Sequence, residues 1–213
     1  MALRSLGDIA ASLPGSTAIF RRHKLDFCCG GSESLEQSAR RSGLDPASIE
    51  AELTSLFPQQ NPIPDSVEDI IDYILGRYHQ VHRRELPELR DLASRVEQVH
   101  AGHPAVPAGL SDLLARMHAA LESHMQKEEQ VLFPLMLAGG NPMIVHPIDM
   151  MRQEHDQHGE ELRALAALTG DMTVPDGACN SWRALYAGLA KLAADLTDHI
   201  HIENNVLFPR FEN

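Results

Sequence analysis

Two stretches of this chain carry one motif. His124-x3-Glu128-x2-Val131-Leu132-Phe133-Pro134 recurs as His199-x3-Glu203-x2-Val206-Leu207-Phe208-Pro209, an internal repeat. Each copy lies in a long segment whose apolar residues return every three or four positions, the period of an amphipathic helix. The segments have two companions. Their apolar seams run Ile71, Leu75, His79, His82, Leu86, Leu89, Ala93, Val96; Leu110, Leu114, Met117, Leu121, His124, Glu128, Val131, Leu135; Ile148, Met151, His155, His158, Leu162, Leu165; and Trp182, Leu185, Leu189, Leu192, Leu196, His199, Glu203, Val206. Each seam is apolar except at one central place. Proline and glycine breaks at 103–107, 139–142 and 175–177 separate the four, which predicts an up-down four-helix bundle.

The first and third segments each carry a histidine pair at i, i+3, His79 with His82 and His155 with His158. The interval from His79 to His124 matches that from His155 to His199 to within one residue. The bundle therefore reads as two copies of a helical hairpin about a pseudo-twofold axis, with the polar positions at one level. A His and a Glu at i, i+4 share a helix face, and here that face is the buried one. Burying two unpartnered carboxylates would cost several kcal/mol each, roughly the stability margin of a domain. The seams carry no Arg or Lys at that level, so the compensating charge is expected to be metal. Imidazole and carboxylate donors without thiolate match iron, manganese or zinc, and two bridging carboxylates with open positions favour iron that handles small diatomic ligands. The expected ligands are His79, His124, Glu128, His155, His199 and Glu203. His82 and His158 are read as residues behind the ligands, orienting one or passing a proton, with direct ligation as the other reading.

Five further histidines, His100, His103, His118, His146 and His201, are expected as cap, loop or solvated-face residues. Lys127, Arg152 and the acidic positions of the outer faces are expected as solvated surface. Ahead of the bundle, residues 1–57 read as a small helical domain. Leu6, Ile9 and Leu13 mark one short helix, Ala18 to Lys24 a second, Leu35 to Arg41 a third, and Asp45-Pro46 opens a fourth through Ile49 and Leu53. The proline-rich residues 58–64 are expected to be a linker, which leaves 65–213 to the bundle. The vicinal Cys28 and Cys29 sit in a Gly-rich turn before a helix, where the dipole lowers a thiol pKa. They read either as thiols that bind or relay iron or react with nitric oxide or peroxide, or as ordinary half-buried thiols. Cys179 is expected as a packing residue.

Composition excludes several alternatives. With aromatics at 5% and no strand-like alternation, the fold is expected to be all-α. A net charge of −12 opposes nucleic acid and anionic membranes as partners. No apolar run of about 18 residues and no signal-like N-terminus is present, so a cytoplasmic protein is expected. Three cysteines, two of them adjacent, are a poor disulfide framework and fit a reducing compartment.

These residues resemble the repair of iron centres family, the YtfE/ScdA-like di-iron proteins, over essentially the whole length. The DFCCGG segment at 26–31 resembles part of that family's small N-terminal domain. RYHQVHRRELPEL at 77–89, SHMQKEEQVLFP at 123–134, EHDQHGE at 154–160 and DHIHIENNVLFPR at 198–210 resemble its hemerythrin-like bundle. The resemblance implies two iron ions, carboxylate- and oxo-bridged, with Glu128 and Glu203 as bridges. By analogy with hemerythrin, His79 and His124 would cap one iron, and His155 and His199 the other. The oxygen-carrying hemerythrins use five histidines with one pair at i, i+4. Here the third-segment pair is i, i+3, and an extra N-terminal domain is present, which argues against simple oxygen storage.

The resemblance further implies a stress protein that restores iron–sulfur clusters damaged by nitric oxide or oxidants. Iron donation, with Cys28 and Cys29 as relay thiols, is the expected route, and damaged iron–sulfur proteins are the expected partners. Two other classes stay open: an enzyme that reduces or transfers nitric oxide, and a binding protein that scavenges or senses nitric oxide or dioxygen. A homodimer is a further expectation.

Overall fold

The computed structural model describes residues 2–13, 16–28, 30–54 and 64–212. Its regular structure is helical, and among the described residues the sole extended pairing is an isolated bridge between Ser5 and Ser34. The all-α expectation therefore holds.

The N-terminal part folds into α1 (Leu6–Ser12), α2 (Ser16–Arg22), α3 (Leu35–Arg41) and α4 (Pro46–Thr54). Ser5 and Ser34 cap α1 and α3, their hydroxyls accepting from the amides of Asp8 and Gln37. Helices this short are marginal alone, so packing must hold them. They converge on a small core of Leu6, Ile9, Ile19, Phe20, Phe27, Leu35, Ile49 and Leu53. Of the expected linker, all but Pro64 lies outside the described residues.

Four rods form the rest. The first joins α5 (Val67–Ile74), a π turn (Leu75–His79) and α6 (Gln80–Val99). The second joins α7 (Leu110–Lys127), a π turn (Glu128–Leu132) and α8 (Phe133–Leu137). The third is α9 (Val145–Thr169), and the fourth joins α10 (Asn180–Ile202), a π turn (Glu203–Leu207) and a closing 3₁₀ turn (Phe208–Arg210). Short connections make sequential rods antiparallel. α6 packs on α7 and α10, and α9 packs on the same two, which closes the up-down ring. Gly170, at φ 57°, ends α9 in the left-handed region that a side chain would strain. No helix among the described residues is long and apolar enough to cross a membrane.

The seams bury nearly as the periodicity predicts, with one shift. Val131 is 51% exposed, while Leu132, Phe133 and Met136 are buried. The cause is the π turn, which inserts one residue into the helical register and moves the apolar face by one position. In the fourth rod the same turn buries Leu207 and Phe208 and leaves Val206 half-buried. Both turns stand just before a proline, Pro134 or Pro209, and close with the amides of Phe133 and Phe208 donating to the carbonyls of Glu128 and Glu203. The bundle core is split in two. Leu86, Leu114, Leu121, Trp182, Leu189 and Leu196 belong to one cluster, and Ile70, Ile74, Phe133, Ile148, Leu207 and Phe208 to the other.

Candidate metal centre

Between the two apolar clusters lies a polar layer. His79, His124, His155, His199, Glu128 and Glu203 are all at most 1% exposed. They form two groups, His79, Glu128, His199 and Glu203 on one side and His124, Glu128, His155 and Glu203 on the other. Within each group the donor atoms lie within 4.8 Å of one another. The glutamates belong to both. Glu128 turns Oε2 toward His79 Nε2 at 3.3 Å and Oε1 toward His124 Nε2 at 3.4 Å. Glu203 turns Oε1 toward His199 Nε2 at 3.0 Å and Oε2 toward His155 Nε2 at 3.0 Å. Each carboxylate thus offers one oxygen to each pocket.

The pairing of the histidines differs from the hemerythrin analogy. His79 Nε2 lies 3.2 Å from His199 Nε2, and His124 Nε2 lies 3.2 Å from His155 Nε2. Each pocket therefore takes one imidazole from each hairpin. The pseudo-twofold axis passes between the hairpins, so a site at that level straddles them rather than falling inside one.

The atoms fit cations. Glu128 Oε1 and Oε2 and Glu203 Oε2 are buried without a hydrogen-bond donor among the described residues. Three of the imidazoles have Nδ1 against an outer acceptor, His79 on Glu129 Oε1 at 2.7 Å, His124 on Glu154 Oε2 at 2.9 Å and His155 on Asn204 Oδ1 at 2.9 Å. With Nδ1 donating, each of these rings, when neutral as a metal ligand must be, presents the Nε2 lone pair inward. Lone pairs and carboxylate oxygens facing one another in a dry interior need a positive centre between them. An N,O donor set without thiolate suits iron. Burial and the facing Glu203 push the Glu128 carboxyl up, yet His124 and His79 outweigh them and hold it below the ordinary carboxylate range. For Glu203, burial is likewise outweighed, by His155, His124 and His79. Burial alone would lower His124, but Glu128 and Glu154 raise it to about 10.

The outer acceptors were not legible as such, and the surface expectation for Lys127, Arg152 and the neighbouring acids is corrected. Glu129 is gripped by Arg83 at 2.7 Å, which also holds Glu122 at 2.8 Å. Glu154 pairs with Lys127, and its hydrogen bond with His124 is the main reason its pKa falls to about 2. Arg152 donates to the backbone carbonyl of Asn204 at 3.2 Å and pairs with Glu212 at 2.9 Å. A signal did exist. Glu129 follows Glu128, Glu154 precedes His155 and Asn204 follows Glu203. One step along a helix turns a side chain by about 100°, which aims the neighbour of an inward ligand at the adjoining rod.

His82 and His158 are buried beside the pockets and belong to neither group. The His82 ring centre lies 5.6 Å from that of His199, and the His158 ring centre 5.1 Å from that of His124. Burial pushes the His82 pKa down to about 2. His158 Nδ1 lies 3.0 Å from Glu161 Oε2. His201, expected on a solvated face, is buried instead. Its Nδ1 lies 3.3 Å from the Phe27 carbonyl oxygen and its ring 5.3 Å from the Phe27 ring, because the N-terminal part covers that side of α10. His100 and His103 pack on Trp182, and Cys179 caps α10 with its sulfur 3.2 Å from His100 Nε2. Cys28 is half-buried, with its thiol donating to Asp26 Oδ1 at 3.3 Å. Its carbonyl accepts from Asn204 Nδ2 at 3.4 Å and Asn205 Nδ2 at 3.3 Å. Cys29 lies outside the described residues.

Fold and donor set together define an all-α protein whose bundle encloses two adjoining groups of donors able to hold cations, beneath an appended helical module. Comparison with known proteins agrees. Residues 70–211 match the hemerythrin HHE cation binding domain, and residues 2–57 match a domain of unknown function, DUF542. The chain is 46% identical over 210 residues to the iron-sulfur cluster repair protein YtfE of Escherichia coli O8 (strain IAI1), covering 96% of this chain and 94% of that protein. The protein of the same name from Shigella boydii serotype 4 (strain Sb227) matches with the same identity and coverage. The chain belongs to the repair of iron centres, YtfE/ScdA-like, family, and its bundle is of the hemerythrin type that binds a non-haem di-iron centre.

Proposed function

We propose that this protein repairs damaged iron–sulfur clusters by giving up iron from its bundle. The observation that carries the reading is the placement of the glutamates, each fully buried and each turning one oxygen to each of two facing histidine pairs. In this reading His79 and His199 would hold one iron and His124 and His155 the other, with Glu128 and Glu203 each contributing a carboxylate to both. Bound iron supplies exchangeable metal and open coordination positions for small ligands such as nitric oxide or dioxygen. The protein's own groups do the rest. Glu129, Glu154 and Asn204 orient three of the imidazoles, and the apolar clusters on either side keep the layer dry.

The printed names of the relatives support repair as the activity, and damaged iron–sulfur proteins are then the partners. Residues 1–57 and 65–213 act in this reading as two modules joined through 58–64, working in the cytoplasm. Cys28 and Cys29 serve as relay thiols. The contact of the Cys28 carbonyl with Asn204 supports that role, since it brings the thiol segment within one side chain of His155.

The test is restoration of an iron–sulfur enzyme inactivated by nitric oxide. Iron-loaded protein is expected to restore its activity and metal-free protein is not. Should the loaded form restore no more than buffer supplemented with equal free iron, donation is wrong. Consumption of nitric oxide with release of nitrous oxide by the reduced protein would move the reading to an enzyme.

A further inference from the structure

We infer that the two pockets are unequal, and that the pocket formed by His79 and His199 releases its metal first. The inference rests on the di-iron donor reading above and adds which iron is the cargo. Its basis is the outer ring of acceptors, which follows a cyclic rule. His79 of the first rod is backed by Glu129 of the second, His124 of the second by Glu154 of the third, and His155 of the third by Asn204 of the fourth. In every case the backing residue is the sequence neighbour of a ligand on its own rod.

The fourth member of the ring is missing. Completing it would require the neighbour of His79 on the first rod to back His199. The residue in the position corresponding to Glu154 is Tyr78, since each immediately precedes its rod's ligand histidine. Tyr78 presents a ring face rather than an acceptor, stacked on His199 with centres 5.2 Å apart and planes 8° from parallel. His199 Nδ1 is buried with no hydrogen-bond partner among the described residues. Its Nε2 is the atom turned to Glu203 and His79, so Nδ1 is the nitrogen that carries the proton when metal is bound.

A ligand imidazole whose other nitrogen donates to an acceptor is more basic and better oriented, and losing that partner typically lowers metal affinity by about 10- to 100-fold. The His124 and His155 pocket has both rings supported, and Asn204 is itself oriented by the Cys28 carbonyl. The His79 and His199 pocket has one. Tyr78 and Asn204 are thus positioning residues with opposite effects, the first leaving its pocket loose and the second securing the other.

The experiment exposes full-length, iron-loaded protein to a ferrous chelator and follows release with time. Two phases of one equivalent each are expected, separated by about tenfold or more. Anomalous diffraction at the iron edge, from crystals of protein taken after the fast phase, should show iron kept by His124 and His155 and lost from His79 and His199. Asn204→Ala should speed the slow phase alone. Tyr78→Glu, which copies Glu154, should slow the fast phase, whereas Tyr78→Phe should leave both phases as they are. Loss of iron first from His124 and His155, or equal loss from both pockets, overturns the inference even if the Tyr78 variants fail to fold. The order of release is independent of cluster restoration, so a negative repair assay with the expected order counts against the donor reading alone.

Discussion

Glu203 illustrates how a single side chain reports on the centre. It is fully buried, and one of its oxygens has no hydrogen-bond donor among the described residues. Its replacement by alanine removes one of the two proposed bridges, so Glu203→Ala is expected to carry fewer than two iron ions per chain by elemental analysis. Full iron content in that variant would refute the ligand assignment. Asp195 is a second informative residue, at the junction of the first and fourth rods. It accepts from Arg77 at 3.1 and 2.6 Å and from Lys191 at 2.7 Å. Burial pushes its carboxyl up, but Arg77 and Lys191 outweigh that and hold it below the ordinary carboxylate range. A carboxyl depressed in the folded state stabilises above its unfolded pKa, and that stabilisation fades as pH falls through the folded value. Asp195→Asn should therefore cost about 1.5–3 kcal/mol at neutral pH, the usual range for hydrogen bonds to a charged group. In denaturant titrations the gap from wild type should narrow as pH falls below the ordinary carboxylate range and through the depressed folded-state pKa; a gap constant across pH would refute the ionic account. At this scale the six candidate ligands are legible because a His or Glu on an apolar stripe violates the pattern. Glu129, Glu154 and Asn204 were not, because an acid or amide beside the stripe looks the same whether it meets water or an imidazole on the next rod.

Among the elements, the π turns explain both a success and a miss. Periodicity placed Glu128 and Glu203 on the buried face, because each still follows its histidine by four residues. It misplaced Val131, because the extra residue enters after the glutamate and only main-chain hydrogen bonding reveals it. The Gly-rich segment after Cys28 sets another local constraint. The Gly31 carbonyl accepts from the amide of Gly7 at 2.8 Å, which draws α1 against the loop. A Cβ at Gly31 would lie 2.5 Å from the Phe27 carbonyl oxygen and 3.0 Å from Asn205 Oδ1. The first of these atoms is backbone and cannot swing aside. Gly31→Ala is expected to destabilise by about 1–3 kcal/mol, as overpacking does. Gly76 is the control, since it is exposed in the first π turn and its added Cβ would meet nothing within 4 Å. Gly76→Ala should be neutral or stabilising by up to about 1 kcal/mol. Equal effects of the two substitutions on the denaturation midpoint would mean that the close approach at Gly31 carries no energy.

For the molecule as a whole, the location of the polar layer matters as much as its composition. It separates two apolar clusters that would otherwise form one continuous core. The four-rod architecture was readable from the seams, since each stripe needs three partners to be covered. The coverage of His201 by the N-terminal part was not readable, because short helices give no periodic signal of what they dock against. Without metal, the layer retains two buried carboxylates and four imidazoles facing one another, and the carboxylate charge must be balanced by protons taken up on the imidazoles. Metal binds the folded state alone, so it adds RT ln(1 + [L]/Kd) to stability. A thousandfold excess over Kd gives about 4 kcal/mol. At about 2–4 °C per kcal/mol for a chain of this size, metal-free protein should melt roughly 8–16 °C below the loaded form. The difference should be largest where the two cores meet. Amide exchange in the metal-free protein is therefore expected to speed up around His79, His124, His155 and His199 before it does around Trp182 or Ile70. Metal-free and loaded proteins melting within about 2 °C of each other, less than 1 kcal/mol apart, would show that the layer is held by its own hydrogen bonds and not by a cation.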